Sequence, residues 1–492
     1  MTESTREREQ KSTMAAAWAL NSSALDKYPA SAALMRLSAF FGPAPIPFEL
    51  LHAADASLPE VLSEKLRQVD ESPQALDELL APLQRLSLVR RSDETRSYSI
   101  HPLMQEVVLE GLPDQRVWAE RALRVVGSNF PDVTKFENWP ALDRFLPHAL
   151  NCATFVESLK IELPEAAQLM NQTAYYLDDR AEYTRAEPLY LQAMAIREKI
   201  LGAEHPDTVT SLNNLAVLYY NQARYPEAEP LYRRALAIRE KSQGLEHPDT
   251  ATALNNLALF LRHQGRYEEA EPLYRRALAI REKALGAEHP DTALSLNNLA
   301  ELLRVQEKTA EAESMHRRAL AIREKALGVE HPDTGVSLNN LAELLRVHGK
   351  PAEAESMLLR ALAISEKALG AEHPNTAHSL NNLAELYRMQ TRYTEAEPLH
   401  RRALAIREKA LGAEHPYTAH SLNNLALLLQ DQGKPAEAEP MYRRALTIAE
   451  KALGTADHHT VLVRNNLLQF YRKQNRNSEA DALEKVAKRT AE

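Results

Sequence analysis

The sequence predicts an all-α fold, a solenoid of about eight helix pairs behind a smaller N-terminal domain. Three observations predict it. Most of residues 166–492 reads again when shifted by 42 residues, and a fixed period of that length marks stacked helical units. Gly202, Gly244, Gly286, Gly328, Gly370, Gly412 and Gly454 recur on this period, each closing a run such as ALAIREKALG. His-Pro recurs at 205, 247, 289, 331, 373 and 415, followed by Asp, Asn or Tyr and then Thr.

The elements follow in order. Residues 1–27 are expected as a flexible leader. Residues 28–112 have no repeat and form a small, mostly helical domain. Within it RLSLVRRSDETRSYSIHPL reads as helix end, strand, turn, strand and helix start. Residues 113–165 form a helical linker, and residues 166–492 hold the array. Each repeat has a helix A, a turn near Gln-Gly-Arg/Lys and a longer helix B. His-Pro and the following Thr suit the start of helix A. The recurrent glycine is a left-handed cap after helix B. Helix B opens acidic and ends basic, in agreement with the helix dipole. Glu229–Arg233, Glu271–Arg275 and Glu397–Arg401 are i,i+4 pairs in the favoured order. Pro230 and Pro272 are expected in or near the first turn of their helices. A diverged first repeat surrounds Asn171 and a diverged last one ends QNRNSEADALEKVAKR, as capping repeats should.

Composition removes several classes of function. A net charge of -9 and a pI near 6.1 argue against nucleic acid as the main partner. One cysteine, Cys152, allows no disulfide framework within the chain and fits a reducing compartment. No apolar run is long enough to span a bilayer. MAAAWAL follows Arg6, Arg8 and Lys11, but it is short and Glu3, Glu7 and Glu9 accompany it. A cytoplasmic location is expected, with no membrane partner.

Paired asparagines interrupt the apolar run of seven of the eight A helices, at 213–214, 255–256, 297–298, 339–340, 381–382, 423–424 and 465–466. Asn is a poor residue for a helix interior. On a wheel of 100° per residue, Leu212, Leu215, Ala216 and Tyr219 form one apolar stripe. Asn213, Val217 and Tyr220 fall on a second stripe, completed by Thr210, Asn214 and Asn221. Four and seven residues after the first Asn, the central repeats carry Glu301/Arg304, Glu343/Arg346 and Glu385/Arg388. The flanking repeats carry Leu259/Arg262 and Leu427/Gln430.

The helix A pattern L-x-x-L-A-x-x-Y and the helix B pattern A-x-x-x-Y/H-x-x-A, in the second repeat Leu212, Leu215, Ala216, Tyr219, Ala228, Tyr232 and Ala235, resemble tetratricopeptide repeats. The 42-residue period resembles the form typical of kinesin light chains. The resemblance covers about two-thirds of the chain and implies a right-handed superhelical solenoid whose second stripe faces a concave groove. It implies a protein or peptide ligand there. Asn213, Asn255, Asn297, Asn339, Asn381 and Asn423 would form a ladder of amides for the ligand's backbone. Arg262, Arg304, Arg346 and Arg388 would meet its acidic groups. The alternatives are that the asparagines bridge neighbouring helices and that each Glu neutralises the Arg three residues on.

PASAALMRLSAFFGPAPIPFELL and LLAPLQRLSLVRRSDETRSYSIHPLMQEVV resemble the winged-helix segment of STAND-type ATPases. That resemblance implies a second function, a regulatory subunit whose residues 28–160 dock an ATPase supplied by another chain. No GxxxxGK[ST] occurs in the sequence, so no nucleotide or other cofactor is expected here. His101 falls on the family's phosphate-sensing motif with its neighbours altered, and is expected to cap or pack the helix that begins at Pro102.

The remaining candidates are bland. Equivalent histidines of stacked repeats lie roughly 10 Å apart, too far to converge on one metal, and are expected as caps. Cys152 sits in an apolar helix. Ser295 and Ser337 recur with the array. No constellation points to an enzyme, and binding is the expected function.

Overall fold

The computed structural model describes residues 13–16, 18–19, 21–52 and 57–489. The chain divides into two compact units, Met1–Ser211 and Leu212–Glu492.

The first unit begins with helices and a small sheet. Of the expected leader, residues 1–12, 17 and 20 lie outside the described residues, and residues 21–25 are helical. Helix α1 (Pro29–Ser38) packs with α2 (Glu60–Glu71) and α3 (Pro73–Arg85). Strands β1 (Ile46–Pro47), β2 (Val89–Ser92) and β3 (Ser97–Ile100) form an antiparallel sheet in the order β1-β3-β2. The β2–β3 hairpin pairs Val89 with Ile100 and Ser92 with Ser97. Ser38 on α1 and Tyr98 on β3 share a buried hydrogen bond of 2.6 Å, which ties helix to sheet. Helix α4 (Pro102–Glu110) follows β3 directly, and His101 Nδ1 accepts the Leu103 N–H at 3.3 Å, the expected cap. The strand, turn, strand and helix expected over 85–103 are therefore present. Helices α5 (Gln115–Asn129) and α6 (Trp139–Ser158) lead to the first helix pair, α7 (Pro164–Asp179) and α8 (Tyr183–Leu201).

Seven further pairs complete the array as repeats 2 to 8. Their A helices are Pro206–Asn221, Pro248–His263, Pro290–Val305, Pro332–Val347, Pro374–Met389, Pro416–Asp431 and His458–Lys473. Their B helices are Tyr225–Gln243, Tyr267–Ala284, Thr309–Ala326, Pro351–Ala368, Tyr393–Ala410, Pro435–Leu453 and Asn477–Arg489. The recurrent histidines start the A helices as caps. Nδ1 of His205, His247, His289, His331, His373 and His415 accepts the backbone N–H two residues on, at 3.0–3.2 Å. The recurrent glycines sit at φ of 86–102°. Where ψ is 160–167°, at Gly202, Gly244 and Gly454, the conformation is extended with positive φ rather than left-handed helical.

Two expectations change in detail. Pro230 and Pro272 lie at the sixth position of their helices, beyond the first turn. Pro272 lacks the N–H that would bond the carbonyl of Glu268, whose exposed position at the helix start leaves that carbonyl to water. The A–B turn has positive φ in every repeat, yet only Gly265, Gly349 and Gly433 are glycine there. Ala223, Glu307 and Thr391 adopt the same φ with a Cβ.

Small residues set the packing. Ala216, Ala228, Ala235, Ala258, Ala270 and Ala277 are fully buried, which lets helices approach closely. A helices of consecutive repeats touch, whereas consecutive B helices stand further apart. The B helices are joined by long pairs such as Arg276–Glu240, Arg318–Glu282 and Arg360–Glu324 at 2.6–2.7 Å. Short reach between A helices and long reach between B helices put A on the inside of the curve.

Candidate functional site

Each central A helix carries a stripe at spacing i, i+4, i+7, i+11. In repeat 4 it is Leu294, Asn298, Glu301 and Val305; in repeat 5, Val336, Asn340, Glu343 and Val347. Repeat 6 follows with His378, Asn382, Glu385 and Met389. These residues are exposed or half-buried among buried neighbours. Leu294, Val305, Val336, Val347 and Met389 are 39–53% exposed, large apolar side chains left uncovered on the inner curve.

The first asparagine of each pair is not on this stripe. Asn255, Asn297, Asn339, Asn381 and Asn423 are 2–5% exposed. Nδ2 of the first four donates to Oγ of Ser295, Ser337, Ser379 and Ser421 in the next repeat, at 2.9–3.1 Å. The groove-facing expectation for these side chains is thus corrected to the bridging one. A step of about 100° along the helix turns the first amide toward the neighbouring A helix. Asn213, half-buried, faces Ala253 in the serine's place, and its Oδ1 is buried without a partner. Asn423 faces Val463 and instead accepts Asn466 Nδ2 at 2.9 Å. The signal was in the sequence: a serine two residues before the next pair accompanies the bridging asparagine.

The second asparagine is the one on the stripe. Asn256, Asn298, Asn340, Asn382 and Asn424 are half-buried. Asn382 Nδ2 lies 3.2 Å from His378 Nε2 and 3.4 Å from Asn339 Oδ1. The amides of Asn256, Asn298 and Asn340 have no side-chain partner among the described residues.

The arginines are neutralised. Arg304, Arg346 and Arg388 bond Glu301, Glu343 and Glu385 three residues before them, at 3.1, 2.5 and 2.8 Å. Arg262 lies 3.9 Å from Glu301 of the next repeat. Burial pushes the Glu301 carboxyl up, but His316, Arg304 and Arg262 outweigh it and hold the group below its usual range.

His378 is exposed on the stripe, and desolvation by nearby protein holds its proton affinity down to about 4, with Arg407 adding to the effect. His420, half-buried, is pushed down to about 3 by the same desolvation, then by Arg407, His459, His378 and His400. Among the described residues no group of three or more His, Cys, Asp or Glu is placed to hold a metal. Cys152 is buried in α6, and burial pushes its thiol up to about 12. No helix among the described residues is long and apolar enough to cross a membrane.

A tetratricopeptide repeat family model matches residues 165–241, 249–325, 295–367, 333–409, 381–451 and 417–492. A domain of unknown function (DUF7779) matches residues 23–117. No curated protein matches. Among solved structures, the nearly identical TPR-like repeats of a Podosopora anserina kinesin light chain are 32% identical, with a TM-score of 0.36. They cover 42% of this chain and 98% of their own. BtubC from P. vanneervenii is 24% identical over 47% of this chain and 91% of its own, with a TM-score of 0.38. A Signal Transduction ATPase with Numerous Domains from Pyrococcus horikoshii, bearing a tetratricopeptide repeat sensor, is 15% identical, with a TM-score of 0.48. That match covers 93% of this chain and 65% of the other. Matched by the family model over more than half of its length, the chain belongs to the tetratricopeptide repeat family.

Proposed function

We propose that this chain is a cytoplasmic, non-catalytic adaptor that binds an extended segment of a partner protein along the A-helix stripe. One observation carries the reading. Asn256, Asn298 and Asn340 present half-exposed amides without side-chain partners in three consecutive repeats, beside exposed Leu259, Leu294, Val305, Val336 and Val347. Each amide offers donors and an acceptor to a peptide backbone, whatever that peptide's side chains. Neighbouring helices lie roughly 10 Å apart, about three residues of extended chain, so one segment reaches all three. The apolar side chains supply selectivity. The arginines contribute less than an acidic ligand would require, because Glu301, Glu343 and Glu385 already pair with Arg304, Arg346 and Arg388.

The test is selection of binding segments from a random peptide library, followed by titration of the best one. Asn256→Ala, Asn298→Ala and Asn340→Ala combined should weaken it roughly 100-fold, at about 1 kcal/mol for each lost hydrogen bond. The circular dichroism of the variant should be unchanged. Unchanged affinity would sink the amide ladder.

A second reading rests on the hairpin β2–β3 and on His101 at the start of α4, which have the strand, turn, strand and helix order of a winged helix. In that reading residues 28–160 dock a separate STAND-type ATPase, and segment binding in the array regulates it. Co-purification with a P-loop protein through residues 28–160 separates the two readings.

A further inference from the structure

The array touches itself. The Tyr225 hydroxyl, at the start of helix B in repeat 2, donates to Asp457 Oδ2 at 3.2 Å, across 232 residues of sequence. Asp457 stands where earlier repeats have the capping histidine. Its Oδ1 does the capping, accepting the N–H groups of His459 at 2.8 Å and Thr460 at 3.3 Å. A carboxylate has a second oxygen to offer and a capping imidazole does not, so this exchange creates the long-range bond. The opposite edge is also irregular. Tyr220 and His263 replace the Arg and the Val or Met of the central repeats. Their rings lie 5.3 Å apart, and Tyr225 lies 6.0 Å from Tyr220. Asp457, His458 and His459 act electrostatically on His263, as Asp457 and Tyr417 do on Tyr220. Departures from the repeat on two distant edges thus coincide at one contact.

We propose that this contact is a clasp: the start of repeat 8 docks reversibly on the aromatic end of repeats 2 and 3, closes the array, and restricts entry to the stripe. The restriction rests on the groove reading above; the closure does not. A contact held by one described hydrogen bond, beside an aromatic cluster and exposed histidines, is suited to opening.

Nitroxide labels on cysteines replacing Glu268 and Thr455 measure the closure in the full chain, by electron–electron double resonance and without any ligand. Buried Cys152 stays unlabelled. The expected result is one short, narrow distance. Tyr225→Phe with His263→Ala should add a longer distance, with the open population rising roughly tenfold for the lost interactions and circular dichroism unchanged. A long distance before these substitutions, or an unchanged short one after them, overturns the clasp. A segment selected for the groove should associate faster with the opened variant. Equal rates overturn the restriction of entry, and absence of any selectable segment overturns the groove reading while the distances still decide the clasp.

Discussion

Asn297 and Asn298 are neighbours of the same chemistry in different surroundings. Asn297 Nδ2 donates to Ser337 Oγ at 2.9 Å, and its Oδ1 lies 2.9 Å from Nδ1 of the fully buried His316. Ser337 Oγ also accepts from Arg323 Nη1 at 3.0 Å. Removing the Asn297 amide strands polar groups that water cannot reach, and each stranded group costs about 1–3 kcal/mol. Asn297→Ala should therefore lower stability by about 2–3 kcal/mol, and Asn298→Ala by less than about 0.5 kcal/mol. Urea titration followed by circular dichroism checks this, read as a midpoint shift because repeat arrays do not always unfold in one step. Equal shifts would contradict the two assignments. That the pair has a purpose is legible from its recurrence in poor helical company. Which member does what is not, because the difference is one step of rotation toward a neighbour that the sequence does not place.

The elements were more legible, because their signals are local. The recurrent glycine, the His-Pro start and the i,i+4 pairs each act within one or two turns. Glu229–Arg233, Glu271–Arg275 and Glu397–Arg401 are all formed, at 2.7–2.8 Å. Pro230 and Pro272, expected in or near the first turn, lie at the sixth position of their helices, just beyond it. The cap itself is testable. His331 Nδ1 accepts the Asp333 N–H at 3.2 Å, and Asp457 does the same work in repeat 8 through a carboxylate. His331→Ala should cost about 1 kcal/mol, whereas His331→Asp should hold the stability within about 0.5 kcal/mol. A thermal melt of the two variants beside the parent decides. Equal losses would mean that the imidazole matters for its packing and not for its acceptor.

Closure belongs to the whole array and was not legible at all. It depends on a small rotation accumulated over five repeats before Tyr225 meets Asp457. In the sequence, His458-His459 stands where the His-Pro pattern breaks, which reads as a worn repeat. Closure carries a pH dependence whose sign follows from the clasp. In the closed form the His263 ring is crowded by protein, which lowers its proton affinity to about 4. Arg262 on its own helix and His459 and His458 opposite lower it further, and Asp457 opposes them; the Tyr220 ring packs against it from repeat 2. Burial likewise lowers His459, with Asp457 opposing and His458 adding. Opening returns both rings to water and to the ordinary value of about 6.5. A group depressed in the closed form favours closure fully above its open value, and that contribution is lost as pH falls from about 6.5 toward 4. Both rings are exposed, which tempers the effect to roughly a three- to tenfold gain in open population between pH 7.5 and 5. The label pair on residues 268 and 455 reads it directly, with circular dichroism showing that the helices persist. His263→Gln with His459→Gln should make the distances independent of pH over this range. An unchanged distance in the parent at pH 5 would remove the pH dependence, and the same acid response in the double variant would assign it to other groups; either leaves the tyrosine–aspartate bond as the working part of the clasp.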